Sequence, residues 1–148
     1  MLNIFKNKEE RFQDYLVNKH LYAYEIFKLA FNDLSIKDDD QVLFTLDPFL
    51  QAYGSTAWNT IEKKVAYIAI NQNLDATSMA ITIFHECRHL YQGLKDHKLL
   101  DGTKNNIDIG YENYRNQPTE MTARAYANWS VQKYEKQIKQ LKKEYGLR

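Results

Sequence analysis

A chain of 148 residues, 44% hydrophobic and 14% aromatic, can bury one substantial core but hardly two, so a single domain over residues 1–148 is expected. Twenty Lys and Arg against 19 Asp and Glu leave a net charge of +1, which gives no sign of the basic face that a nucleic-acid groove requires. Cys87 is the one cysteine, no apolar run approaches the roughly 20 residues that span a bilayer, and the start MLNIFKNKEE lacks the apolar centre of a leader, so a cytoplasmic protein without disulfide, membrane or nucleic-acid partner is expected.

The predicted elements begin with a helical part over 1–34. From Glu9 to Leu34 the residues Phe12, Leu16, Leu21, Tyr24, Phe27, Leu29 and Phe31 recur at mostly three- and four-residue steps, as on the packing face of a helix or helix pair. A sheet is expected over 42–71. Val42 to Leu46 reads as a strand closed by Asp47-Pro48, Gly54-Ser55 as a turn or loop, and Lys64 to Asn71 as a second strand, apolar on both faces. Asp75 is a natural N-cap for a helix over 75–93, with Gly93 as its stop. Residues 95–117 are polar and contain Asp101-Gly102 and Asn105-Asn106, which predicts a loop. Pro118 suits a first helical position, and a helix is expected over 118–146. The tail from Lys133 to Arg148 puts Tyr134, Ile138, Leu141 and Tyr145 on one stripe, which predicts a cover for the core or, given its basic balance, a surface for an acidic partner or membrane. Together these give an α+β class: a small sheet packed on helices, with the 75–93 helix facing the C-terminal one.

The chemistry lies in His85-Glu86-Cys87-Arg88-His89, an H-E-x-x-H pattern on a predicted helix. Histidines at i and i+4 leave the same helix face, so their imidazoles can close on one tetrahedral Zn²⁺. Glu86 sits beside that face, where it can take a proton from an activated water without being a ligand. Cys87 points off the face and is expected to be a buried apolar residue. Arg88 reads either as a partner for a nearby carboxylate or as a surface charge.

A catalytic zinc needs a third protein ligand and one open position. His97, Asp101, Asp108, Glu112 and Glu120 are candidates. Glu120 is favoured because it falls in the first turn of the Pro118 helix, where the positive helix end favours a carboxylate; the same placement also serves a carboxylate that only complements the dipole. Ala123 and Ala127 on its side would let the two helices approach closely. Tyr111 and Tyr114, just before that helix, are candidate donors to an oxyanion, and Tyr114 joins Glu86 in the expected catalytic set. His20 and His97 lack a helical partner histidine.

The order Ile68-Ala69-Ile70-Asn71, then His85-Glu86-x-x-His89, then Glu120-x-x-Ala123-x-x-Tyr126-Ala127 resembles the gluzincin branch of the zincin metallopeptidases, in particular the ImmA/IrrE-like and minigluzincin types. The resemblance covers about Val65 to Trp129. It implies a zincin-like fold, one Zn²⁺ per chain held by His85, His89 and Glu120, and Glu86 as general base and acid. It also implies an extended protein or peptide substrate lying beside the Lys64 to Asn71 region or the strand next to it. The expected activity is zinc-dependent hydrolysis of peptide bonds. Two rival expectations are a catalytically silent zinc-binding domain that acts through a partner, and a helical partner-binding module with no metal.

Overall fold

The computed structural model describes residues 7–37, 41–58, 65–95 and 109–148. Five helices and a three-stranded sheet make up these residues: α1 (Lys8–Leu34), β1 (Gln41–Asp47), β2 (Gly54–Trp58), β3 (Val65–Asn71), α2 (Ala76–Lys95), α3 (Tyr111–Arg115), α4 (Pro118–Lys133) and α5 (Glu135–Glu144). The α+β class holds. None of the helices is long and apolar enough to cross a membrane.

Helix α1 is one helix. Asn7 caps its start by accepting from the Glu10 N–H at 2.8 Å, and Ser35 ends it in the left-handed region at φ 56°. Its packing face differs from the expected one. The buried stripe is Lys19, Tyr22, Ala23, Ile26, Phe27, Ala30 and Leu34, whereas Phe12, Leu21 and Tyr24 are exposed. The stripe joins the large Tyr22, Ile26, Phe27 and Leu34 to Ala23 and Ala30 at three- and four-residue steps, shares only Phe27 with the expected face, and belongs to a helix packed on α2.

The sheet order is β1-β3-β2, with β1 parallel and β2 antiparallel to the central β3. Ala66, Ile68 and Ile70 of β3, with Leu46 of β1, are buried beneath the helices. Leu43 and Tyr67, which are opposite in the β1–β3 register, are exposed on the other face. The apolarity of β3 on both faces therefore does not mean burial of both. Strand β2 is a correction to the sequence reading, since Gly54-Ser55 opens a strand rather than a turn. Glycine is needed there for closeness: a Cβ on Gly54 would stand 2.7 Å from Thr82 Cγ2 and 3.0 Å from Glu86 Cγ.

Asp75 caps α2 as expected, accepting from the Ser78 N–H at 2.8 Å. The helix does not stop at Gly93 but continues to Lys95. Gly93 instead seats the Trp58 indole, whose nearest atom would lie 2.6 Å from an added Cβ. Of the predicted 95–117 loop, 96–108 lies outside the described residues and Tyr111 to Arg115 is helical. The C-terminal helix is two helices, because Tyr134 departs from helical geometry at φ −102° and ψ 21°. Its ring stacks on Phe84 at 5.9 Å, and its hydroxyl reaches Asp33 at 2.5 Å. The tail's stripe of Tyr134, Ile138, Leu141 and Tyr145 packs on the core.

Candidate metal centre and its cleft

Two helices build the centre. On α2, His85 and His89 lie one turn apart, with ring centroids 4.8 Å apart and planes at 75°. Buried Ala123 and Ala127 make the near face of α4 small, as expected, and draw it against α2. Glu120 in the first turn of α4 then reaches both imidazoles: its Oε2 is 3.1 Å from His85 Nε2 and its Oε1 is 2.8 Å from His89 Nε2. The two Nε2 atoms are 3.2 Å apart. Donors held at about 2.0 to 2.1 Å by a tetrahedral ion stand roughly 3.3 Å from one another, so this triangle has the size of one face of such a site. His85, His89 and Glu120 are thus close enough to bind a metal ion. Of the other ligand candidates, Glu112 lies on α3 outside this group, and His97, Asp101 and Asp108 fall outside the described residues.

Gln92, one turn beyond His89, fixes the state of that ring. The Gln92 Nε2 donates to the Thr119 carbonyl at 3.2 Å, and a carbonyl can only accept. The amide oxygen therefore faces His89 Nδ1, at 2.9 Å. Nδ1 must then be the donor, which leaves Nε2 without its own hydrogen in the neutral ring. That bare Nε2 faces a carboxylate oxygen and a second imidazole nitrogen. A positive charge, either a proton or a metal ion, has to sit between them.

The electrostatics follow from burial and these contacts. Burial pushes the Glu120 carboxyl up, but the bonds from His85 and His89 outweigh it and hold the group well below the ordinary carboxylate range. Burial pushes His89 down, and the Glu120 carboxylate more than reverses this. Glu86 is raised by burial. Its Oε2 accepts from the Thr56 hydroxyl of β2 at 2.5 Å.

Tyr114 comes to the centre from α3, where its hydroxyl donates to Glu120 Oε1 at 2.9 Å. Burial, then the negative Glu120, raise its phenol. Tyr111 is exposed but lines the same cleft. Cys87 is fully buried off the ligand face, as its position predicts, and burial raises its thiol. Arg88 is not a surface charge: it lies half-buried over the rings of Tyr91 and Tyr126, at 4.7 and 5.6 Å. His20 is exposed on α1.

The centre opens on a cleft of about 710 Å³ whose lining includes Tyr53 and Gly54 at the start of β2, Glu86, Tyr114, Arg115 and Arg124. Thr56, Gln92 and the two arginines are absent from the expected site. Gln92 is legible in principle, since a residue three after a ligand histidine shares its helix face. Thr56 carries no such local signal, because its place depends on how β2 pairs with β3. Comparison of the chain with family models, curated proteins and solved structures gives no match.

Proposed function

We propose that the chain is a zinc-dependent metallopeptidase. The observation that carries this reading is the convergence of His85, His89 and Glu120 on one point, with the Glu86 carboxyl beside it and an open cleft in front. Two imidazoles and a carboxylate are a donor set that suits Zn²⁺. When bound there, zinc would act as a Lewis acid and lower the pKa of water.

The chain's own residues supply the rest. Glu86 takes the proton from the attacking water and later delivers it to the leaving amine, while the Thr56 hydroxyl steadies its carboxyl. Gln92 keeps His89 Nε2 available by holding the hydrogen on Nδ1. The Tyr114 hydroxyl, held at the centre by its bond to Glu120, serves as the donor to the developing oxyanion. Among the described residues β2 pairs only with β3, on one side. Its other edge is able to receive an extended peptide through main-chain hydrogen bonds, which favours a peptide substrate. This narrows the expected substrate strand from the Lys64 to Asn71 region, whose β3 is central, to its neighbour.

Metal analysis of the purified chain and a peptide-hydrolysis assay test the reading together. About one zinc per chain is expected, and Glu86→Gln should keep the metal while turnover falls at least about a hundredfold. A chain that takes up no zinc, or a Glu86→Gln variant with undiminished turnover, overturns it.

A further inference from the structure

The lining of the cleft in front of the metal centre carries two carboxylates and two guanidiniums, and both carboxylates already have partners. Glu86 is bound to Thr56, and Glu120 is bound to Tyr114 and both histidines. The remaining charged groups that line it are Arg115 and Arg124. Arg124 Nη1 donates to the Arg115 carbonyl at 3.0 Å. Arg124 is half-buried, its guanidinium makes this bond at the exposed side, and its other N–H groups have no carboxylate among the described residues. Arg115 is exposed beside it. Both arginines come from the elements that carry the chemistry, since Arg115 follows Tyr114 on α3 and Arg124 lies one turn beyond Glu120 on α4.

We propose that Arg124 and Arg115 select peptides that carry a carboxylate within about two residues of the bond presented to the metal centre. The spacing follows from two repeats. Residues four apart on a helix have Cβ atoms about 5 to 6 Å apart, and an extended peptide advances about 3.3 Å per residue. A guanidinium one turn beyond Glu120 therefore meets the first or second neighbour of the scissile bond. A planar fork of free N–H donors suits the two oxygens of a carboxylate, from an acidic side chain or from a free C-terminus. Neutral peptides would leave the two cations unpaired, whereas peptides with Lys or Arg at that position would meet them with like charge. The inference rests on the peptidase reading, but binding tests it separately from turnover.

The experiment uses C-terminally amidated peptides that differ by Glu or Gln at successive positions, and a neutral peptide with a free C-terminal carboxylate. Calorimetry on the zinc-loaded Glu86→Gln chain gives affinities, and the unsubstituted chain gives relative hydrolysis rates. At one position Glu should exceed Gln by at least about tenfold in both, with the ratio shrinking as salt rises. Preference for the free C-terminus over its amide would assign the carboxylate to the chain end instead. In Arg124→Gln the ratio should approach one, and in Arg124→Glu a Lys peptide should bind better than a Glu peptide. If Arg124→Gln fails to hold zinc, Arg115→Gln carries the same comparison, with a smaller but measurable drop expected. Equal binding of Glu and Gln peptides at every position, without preference for the free C-terminus, overturns the proposal, as does a preference unchanged in the arginine variants. Selective binding without hydrolysis of any peptide would instead refute the peptidase reading alone.

Discussion

Asp33 and Glu120 are both buried carboxylates, with side chains 8% and 7% exposed, and both gather donors from other elements. Around Asp33 the polar groups complete one another. The Tyr126 and Tyr134 hydroxyls and the Lys133 ammonium all donate to it, at 2.8, 2.5 and 2.8 Å, and the lysine balances its charge. Around Glu120 the same kind of count does not close. His89 has already given its Nδ1 hydrogen to Gln92, and its other nitrogen faces His85 Nε2 at 3.2 Å as well as the carboxylate. A buried polar group with all partners present ties α1 to α4 and α5, whereas one that sets acceptors against one another needs a proton or a metal ion between them.

The two clusters can be separated by measurement. The largest expected effect is on zinc. Glu120→Ala should weaken zinc binding at least about a hundredfold in competition with a chelator, because a ligand is lost outright. Glu112→Ala, on α3 outside the cluster, should leave zinc affinity nearly as it was. Zinc binding that survives Glu120→Ala would make Glu120 a helix-start carboxylate and dissolve the contrast. Next, Gln92→Ala should weaken zinc by roughly ten- to a hundredfold, since the group that accepts the Nδ1 hydrogen is lost. Nitrogen NMR of His89 checks the cause: the zinc-free chain should lose its preference for the Nδ1–H form in Gln92→Ala.

The smallest effect belongs to the self-sufficient cluster. Asp33→Asn should leave zinc affinity unchanged and lower stability by roughly 1 to 3 kcal/mol near neutral pH. Burial pushes the Asp33 carboxyl up, but Lys133, Tyr134 and Tyr126 outweigh it, so the group is held below its ordinary value of 3.8. A folded value below the unfolded one means that this stability is present above about pH 3.8 and is lost as pH falls through the folded value. Chemical denaturation should therefore show the two proteins converging in stability only below that pH. A gap that stays constant into strong acid would remove the charge from the explanation.

What the sequence revealed follows the range of the signal. The pairing of His85 with His89 needs only a helical repeat, and the position of Glu120 needs only Pro118 at a helix start, so both could be read locally. Strand β2 could not. Gly54 marks a turn by its residue type, yet it serves close approach to Glu86, and only the packed partner reveals which use applies. The packing face of α1 is ambiguous for a related reason, because apolar residues stand on both sides of the helix and only the partner decides that Tyr22 and Ile26 are buried while Phe12 and Tyr24 are exposed. Tyr134 interrupts an otherwise continuous pattern for the sake of contacts with Phe84 and Asp33, which lie far away in the chain.

The seat of Trp58 on Gly93 has an optical consequence. The chain has two tryptophans, and Trp129 is 53% exposed on α4. With Trp129 replaced by Phe, all indole emission would come from the seam between β2 and α2, one residue beyond the glutamine that holds His89. Light emitted from that single ring would then report how β2 packs on α2, with no label attached to the protein.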